Sequence, residues 1–487
     1  MIFSSPRFLA FLVVLLALLG LPLRLRTKLH VLAAASCLFY AAWDVRYLVL
    51  LVGVSAVDYW AAAQIHKSEV RRTRQAWLAL SVVSNLTLLG YFKYTNFFIE
   101  NLNGVLGRFG GHVTALHILL PAGISFYTFK TMSYTIDVYR KEIQPCRSWL
   151  DYVTFVTFFP ELIAGPIVRA NVFLPQMQRE IGPTRERLSL GISIFLFGLM
   201  KKLVIADPIA SAIDPVFADV GAYSGASLWL AALGYSIQIY CDFSGYSDMA
   251  IGVAKMIGYD LPENFAMPYL SGDITEFWRR WHITLSSWLR DYLYIPLGGN
   301  RRGLGRTYLN LAATMMLGGL WHGASWNFVV WGALHGCALA IHRWLTSRAD
   351  RRSFPNLLTG PLTFVFVTLA WIPFRCTSFE ATFTMVNRMF TLQPGFLWFP
   401  LPVLIGTVLL VVAHFIGHHV EANPTTGGVL GSAVSKIDGH LHRDDISSWF
   451  VHLRLGSTAS IYAALLWLLT IFFFAATGAS PFIYFQF

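Results

Sequence analysis

Seven long runs without a charged residue constrain the fold of this 487-residue chain more than any other feature. They are 18 to 36 residues long, and a helix needs roughly 20 mostly apolar residues to cross the hydrocarbon core of a bilayer. The runs are 75–92, 109–129, 220–241, 307–342, 354–374, 389–420 and 455–487. This pattern predicts an all-α protein that crosses a membrane several times, because only helices and closed barrels satisfy their backbone polar groups in lipid.

Five weaker apolar runs raise the predicted count to about ten to twelve membrane-spanning or re-entrant helices. They are 8–23, 29–43, 47–64, 152–168 and 188–205. Only 13% of the residues are charged, about half the share in soluble domains, so we expect one membrane domain to cover residues 1–487. The opening MIFSSPRFLAFLVV has no small-residue cleavage site directly after its apolar stretch. We therefore expect the first helix, in the apolar run 8–23, to stay in the mature protein and not to be removed as a signal peptide.

The positive charges lie in short clusters between apolar runs, at 67–74, 279–306 and 343–352. Such clustering is typical of cytoplasmic loops, so the net charge of +11 does not indicate nucleic-acid binding. Counting helices from the last cluster places the C-terminus outside the cytoplasm.

We predict neither a disulfide framework nor a metal site, because the five cysteines and the histidines of 414–442 lack ligand spacing.

The polar stretch at about 272–306 combines an amphipathic segment with a basic loop. Its large apolar side chains recur every three or four residues, which predicts one interface helix; they are Trp278, Trp281, Leu285, Leu289 and Tyr292. The loop PLGGNRRGLGR carries Arg301, Arg302 and Arg306, and glycine-rich backbone with arginine suits phosphate groups such as those of coenzyme A. The alternatives are a plain anchor helix and an ordinary arginine-rich cytoplasmic loop.

His322 is the most unusual polar residue, because it lies inside the 36-residue run without charges. An ionisable group at membrane depth is by default a candidate for function, and a histidine is suited to general-base catalysis. Gly318, Gly319 and Gly323 would let a substrate or another backbone approach closely. A structural histidine packed between helices is the alternative. If the run is one helix, His335 and His342 project away from His322.

Three other features are weaker candidates. His282 follows the Trp278–Trp281 cluster beside the apolar stripe and could reach a buried site, although the pattern alone favours a structural role. Asp242 and Asp248, in DFSGYSD, either line a polar tunnel or are solvated at a helix end. The C-terminal PFIYFQF contains Tyr484, and its pattern alone favours an aromatic belt at the membrane surface. No G-x-S-x-G element supports serine-hydrolase chemistry.

Several stretches together resemble membrane-bound O-acyltransferases, specifically the branch that includes the membrane subunit of bacterial alginate O-acetylation. They are MIFSS, PAGISFYTFKTMSYTIDVYR, FFPELIAGPIVR, DFSGYSDMAIG, FWRRWHITLSSWLRDYLYIPLGGNR and GLWHGASWNFVVWG. The resemblance runs nearly end to end. It implies helices around a central tunnel in a multi-pass protein of the bacterial inner membrane.

The resemblance also implies roles for individual residues. His322 matches the catalytic histidine of the family, and His282 matches the second histidine. The expected donor is cytoplasmic acetyl-CoA, used as a substrate and not bound as a permanent cofactor. The tail 481–487 is similar to the aromatic tail of a small partner in teichoic-acid D-alanylation, which makes Tyr484 a candidate acyl carrier. The implied partner is a periplasmic SGNH-type O-acetyltransferase that modifies a polysaccharide. The resemblance favours an alginate-like exopolysaccharide and leaves a cellulose-like exopolysaccharide and peptidoglycan open, because the acetylation systems of all three use similar membrane subunits.

Two rival functions are compatible with the residues alone. A transporter or flippase for an acyl donor or a lipid-linked sugar would use His322 and the DFSGYSD acids as a polar pathway. A non-catalytic scaffold of a polysaccharide secretion complex would need neither histidine for chemistry. An acyltransferase releases free coenzyme A, whereas the two rivals do not.

Overall fold

The structure is a computed structural model that describes residues 2–348, 356–422, 458–475 and 482–483. These residues form helices and no β-strand. The α-helices are α1 (Pro6–Gly20), α2 (Leu25–Ala41), α3 (Val45–Lys67), α4 (Arg71–Leu89), α5 (Thr95–Leu106), α6 (Ile124–Arg140), α7 (Trp149–Thr157), α8 (Phe159–Leu162), α9 (Ala170–Phe173), α10 (Arg185–Met200), α11 (Asp207–Ala218), α12 (Gly225–Ile257), α13 (Ile274–Arg280), α14 (Ile283–Leu289), α15 (Leu304–His322), α16 (Trp326–Arg348), α17 (Asn356–Arg375), α18 (Phe379–Thr391), α19 (Leu401–Ala422) and α20 (Thr458–Phe474). The all-α prediction is confirmed for this part of the chain.

Four helical segments of the described chain are long and apolar enough to cross a membrane: Val45–Lys67, Arg71–Phe109, Arg185–Ala218 and Leu358–Arg375. The second and third are long because π-helical turns join neighbouring α-helices, at Gly90–Tyr94 and Lys201–Ala206. Two shorter apolar helices are Pro6–Gly20 and Leu401–Gly417. The count of ten to twelve segments stays a prediction.

The apolar run 109–129 was expected to be helical, but α6 begins only at Ile124. The backbone before it is not helical, and two asparagine side chains replace its missing hydrogen bonds. Asn103 exchanges two hydrogen bonds of 2.8 Å with the backbone of Val113. Asn96 does the same with Leu116, at 2.9 Å. An apolar run with a Gly pair at one end and Pro121 near the other therefore takes a non-helical conformation.

The run 307–342 is also not one helix. Helix α15 ends at His322 and α16 begins at Trp326, so the run is a helical hairpin. Its two arms touch at glycines: a Cβ on Gly319 would lie 2.1 Å from the carbonyl oxygen of Phe328, and a Cβ on Gly332 would lie 2.2 Å from that of Met315. Small residues allow this close approach of two helix backbones.

The chain forms two compact units. The first comprises the described residues of Met1–Gly191 and Ala250–Pro262, and the second those of Ile192–Met249 and Glu263–Phe487. In the first unit, a buried polar cluster joins α3, α4 and α6. The Asp58 carboxylate accepts hydrogen bonds from Ser81 at 2.6 Å and from Asn85 at 2.9 and 3.0 Å, and Thr131 donates to Asn85 at 2.9 Å. These bonds offset the cost of burying a carboxylate.

In the second unit, α10 crosses α12 at two glycines. A Cβ on Gly198 would lie 2.5 Å from the carbonyl oxygen of Gly245, and one on Gly245 would lie 2.7 Å from that of Gly198. This contact brings the π-helical turn after α10 against the middle of α12. Lys202 consequently pairs with Asp242 at 2.5 Å, and Lys201 pairs with Asp248 at 2.5 Å.

Candidate functional site

His322 is the last residue of α15, at the tip of the helical hairpin. The helix ends there because Gly323 is extended, with φ −155° and ψ 148°. Gly323 also has no room for a side chain, since a Cβ would lie 2.0 Å from the ring of Phe328. Ser325 starts the second arm by accepting the backbone N–H of Asn327 on its hydroxyl at 3.3 Å. The short turn between the arms therefore sets the position of His322.

Aromatic rings surround His322, which is only 5% exposed. The ring centroids of Trp321, Trp331 and Phe374 lie 5.0, 5.2 and 5.3 Å from that of the imidazole, all at steep interplanar angles. Phe374 belongs to α17, and it also packs on Phe328 of the hairpin at 4.9 Å. Packing of this kind restricts the rotamer of the imidazole, as a catalytic group requires.

His282 lies at a break in what was predicted as one interface helix. The structure instead has two short helices, α13 and α14, and a π-helical turn at Arg290–Tyr294. The predicted stripe is nevertheless largely buried, with Trp278, Trp281, Leu285 and Leu289 all 9% exposed or less. The apolar spacing was correct, but the continuous helix was wrong.

Two neighbouring backbone contacts produce this break. Ala266 donates its N–H to the carbonyl of Arg280 at 3.0 Å, and Ile283 donates to that of Asn264 at 2.9 Å. Between these contacts His282 has φ 42° and ψ 54°, in the left-handed region that side chains with a Cβ rarely adopt. Strained backbone of this kind persists where the surroundings determine it, and it is common at functional sites.

The structure brings the two predicted catalytic histidines together. The ring centroids of His282 and His322 are 6.4 Å apart. His282 is fully buried, and burial lowers its pKa to about 3. Its imidazole is therefore neutral at physiological pH.

His335 and His342 lie elsewhere on α16. His335 is fully buried, and its Nδ1 accepts a hydrogen bond of 3.3 Å from the indole of Trp278. Trp331 contacts both His335, at 4.8 Å, and His322, at 5.2 Å. His342 makes a hydrogen bond of 2.9 Å with the hydroxyl of Thr275. The prediction that His335 and His342 project away from His322 assumed that 307–342 is one helix, and that assumption was wrong. Both side chains nevertheless have partners other than His322.

The three arginines of the basic loop are all exposed. The predicted loop runs into α15, which begins directly after Gly303. The φ of Gly303, 82°, suits a residue without Cβ. Asn310 of α15 donates its side-chain amide to the carbonyl of Gly299 at 3.1 Å and so fixes the loop to the helix. Arg301 and Arg302 are therefore accessible cations on an ordered turn, and Arg306 is exposed in the first turn of α15. The role of these three arginines in phosphate binding stays a prediction.

Asp242 and Asp248 lie well inside α12, so solvation at a helix end was wrong for both. Each is buried and paired with a lysine, and Lys202 also pairs with Asp207 at 2.7 Å. These lysine partners were missed from the sequence, although two adjacent lysines inside the weak apolar run 188–205 were a visible signal.

The C-terminal tail reaches the same helix. Phe482 and Ile483 are 2% and 1% exposed, and the backbone N–H of Ile483 donates to the Asp242 carboxylate at 2.8 Å. Burial of this kind differs from an aromatic belt at the membrane surface. Tyr484, the predicted acyl carrier, lies outside the described residues.

The histidines near the end of α19 do not form a metal centre in the part of the chain that the structure describes. His414 is buried, and its Nδ1 makes a 3.0 Å hydrogen bond with the carbonyl of Leu410. The side chains of His418, His419, His440 and His442 lie outside the described residues.

Comparisons with known proteins identify the family. Residues 146–382, which include both histidines, match the profile of MBOAT, the membrane-bound O-acyltransferase family. The chain is 47% identical to the probable alginate O-acetylase AlgI of Pseudomonas aeruginosa, over 80% of this chain and 75% of that protein. It is 41% identical to the probable alginate O-acetylase AlgI of Azotobacter vinelandii over 100% of both chains, and 41% identical to the peptidoglycan O-acetyltransferase of Helicobacter pylori over 74% of this chain and 73% of that protein. The chain is therefore a multi-pass membrane protein that belongs to the membrane-bound O-acyltransferase family.

Proposed function

We propose that this protein transfers acetyl groups from cytoplasmic acetyl-CoA across the bacterial inner membrane for the O-acetylation of an extracellular polysaccharide. The observation that carries the proposal is the buried pair His282 and His322, whose rings lie 6.4 Å apart within the matched residues. The names of the relatives, two probable alginate O-acetylases and a peptidoglycan O-acetyltransferase, support acetyl as the group and a polysaccharide as the final acceptor. An alginate-like exopolysaccharide is the polymer that we propose.

In the proposed reaction, His322 is the general base. It removes the proton of the acceptor hydroxyl while that oxygen attacks the thioester carbonyl of acetyl-CoA. The carbon–oxygen bond forms, the carbon–sulfur bond breaks, and the sulfur leaves as free coenzyme A after His322 returns the proton. His282 assists by orienting or polarising the reacting group. The arginines of the basic loop, Arg301, Arg302 and Arg306, bind the phosphates of the donor.

The acceptor hydroxyl in this proposal is that of Tyr484. A periplasmic SGNH-type O-acetyltransferase then takes the acetyl group from the tyrosine ester, which restores the free phenol, and passes it to a sugar hydroxyl. The position of Ile483 supports this role, because the residue directly before Tyr484 is buried against α12 and Phe482 packs against Phe243, which also contacts His282.

The test is the O-acetylation of the polymer in cells that lack the native protein. Wild type, His322→Ala and Tyr484→Phe are expressed at matched levels in the membrane, with His414→Ala as a buried-histidine control. We expect both test variants to abolish acetylation and the control to keep at least half of it. Full activity of His322→Ala would overturn the catalytic assignment, and loss in His322→Ala alone would remove Tyr484 from the relay.

A second measurement separates this function from transport. Purified protein in proteoliposomes is given acetyl-CoA, and free coenzyme A is quantified. The proposal predicts thioester consumption that depends on His322. Movement of the donor without release of coenzyme A would favour the transporter.

A further inference from the structure

The side chain of Asp242 on α12 binds the backbone of the C-terminal tail at Ile483. The N–H of Ile483 donates to Oδ2 of Asp242 at 2.8 Å, and the two residues are 241 positions apart in the sequence. Both are at most 2% exposed. A buried backbone N–H requires a partner, and a carboxylate is a stronger acceptor than a carbonyl oxygen. This contact is therefore a specific attachment point for the tail.

The carboxylate is held in place from its other side. Oδ1 of Asp242 pairs with Lys202 at 2.5 Å, and Lys202 pairs with Asp207 at 2.7 Å. Because the lysine occupies Oδ1, the second oxygen is presented to the tail. The close crossing of α10 and α12 at Gly198 and Gly245 sets the distance between the lysine and the aspartate. The contacts that orient Asp242 therefore do not depend on its bond to Ile483.

Ring contacts extend this attachment toward the histidines. Phe482 stacks on Tyr246, one helical turn after Asp242, with centroids 4.6 Å apart and an interplanar angle of 28°. Phe243 contacts Phe482 at 6.0 Å and His282 at 4.6 Å. Neighbouring residues of α12 therefore contact both the tail and the candidate catalytic histidine: Asp242 and Tyr246 contact the tail, and Phe243 contacts the tail and His282.

We propose that Asp242, orientated by Lys202, is a positioning residue that anchors the C-terminal tail through the backbone N–H of Ile483. The proposal rests on the proposed function in one respect, that the tail carries the acetyl group. Anchoring the tail at residue 483 restricts where the residue after it can go. A nucleophile that is held in few positions reacts far faster with a bound substrate than one that samples many.

The first test removes the hydrogen-bond donor, the backbone N–H of Ile483, and leaves Asp242 unchanged. Ile483→Pro has no backbone N–H, whereas Ile483→Val keeps it and is the conservative counterpart. At matched membrane levels, we expect polymer O-acetylation to fall at least tenfold in Ile483→Pro and to stay above half of wild type in Ile483→Val. Equal acetylation in the two variants, together with an inactive Tyr484→Phe, would overturn the anchor.

A photo-crosslink reads the position of the tail independently of activity. A benzophenone amino acid in place of Phe482 should crosslink to a peptide that contains residues 242–246 of α12. We expect the yield to fall at least fivefold when Ile483→Pro or Asp242→Ala is added. An unchanged yield in Ile483→Pro would show that the tail is held by something else, and the anchor would be wrong.

The outcomes separate this inference from the acyl-carrier proposal. If Tyr484→Phe is inactive and Ile483→Pro is active, the carrier stands and the anchor falls. If Ile483→Pro loses the crosslink and Tyr484→Phe still acetylates the polymer, the anchor stands and the carrier falls.

Discussion

Phe243 and His282 meet edge to face, with ring centroids 4.6 Å apart and an interplanar angle of 85°. The same phenylalanine contacts Phe265 at 5.0 Å and Phe482 at 6.0 Å. Phe243 follows Asp242 directly on α12, so the residue that touches the histidine is next to the residue that binds the tail. This one ring couples the position of the imidazole to the seating of the tail.

Phe243→Leu should therefore slow acetyl transfer even in the molecules that remain folded, because Phe243 contacts His282. Removal of part of a buried ring costs on the order of 1–2 kcal/mol, and it also releases the contact with His282. We expect acetyl transfer per folded molecule to fall at least fivefold. The matched control is Phe173→Leu in the other unit, where a fully buried ring stacks on Tyr259 at 4.9 Å. If both variants lose the same activity, the Phe243 ring acts only in packing.

The backbone of His282 leads to an unusual prediction about stability. Its φ of 42° is costly for any residue with a Cβ but not for glycine. His282→Gly should therefore be more stable than His282→Ala by about 1 kcal/mol, although both should be inactive. Thermal unfolding in detergent measures this difference. An alanine variant as stable as the glycine variant would mean that the left-handed conformation is not maintained.

The helical hairpin can be tested with two glycines of the same helix. A Cβ on Gly319 would lie 2.1 Å from the backbone oxygen of Phe328, whereas a Cβ on Gly305 would meet no atom within 4 Å. We expect Gly319→Ala to lower the unfolding midpoint and to abolish activity, because the tip that carries His322 must move. Gly305→Ala should be as stable as wild type or more stable by about 0.5–1 kcal/mol. Equal behaviour of the two variants would contradict the close packing of α15 on α16.

The basic loop predicts an effect on the donor that depends on its phosphates. Replacing Arg301, Arg302 and Arg306 with alanine should raise KM for acetyl-CoA at least fivefold and leave kcat nearly unchanged. A short acetyl thioester without the nucleotide should show no such change, because it lacks the phosphates that arginines bind. The exposed Arg108, at the end of the helical segment Arg71–Phe109, provides the control, Arg108→Ala. An equal effect on both donors would exclude phosphate recognition by this loop.

Several elements of the site could be predicted from local sequence. The glycines beside His322 were expected to allow close backbone approach, and Gly319 does so against Phe328. The apolar spacing of Trp278, Trp281 and Leu285 correctly indicated a buried face. These predictions succeeded because they depend on residues within a few positions of one another.

The breaks that position the two histidines could not be predicted in this way. The kink at His282 depends on Asn264 and Ala266, which pair with the chain on both sides of it. The pairing of Lys202 with Asp242 depends on a helix crossing, and the bond from Ile483 to Asp242 spans 241 positions. Periodicity within one segment contains no information about such tertiary contacts.

The long separation between Asp242 and Ile483 also orders events during biosynthesis. At ~5–20 residues per second, the ribosome needs on the order of 10–50 s after making Asp242 before Ile483 exists at all. During that interval the helices between α12 and the tail are made, and Asp242 has no bond to the N–H of Ile483. A nascent chain that stalls or is cleaved before residue 483 therefore contains both histidines but lacks the tail that we propose as the acetyl carrier.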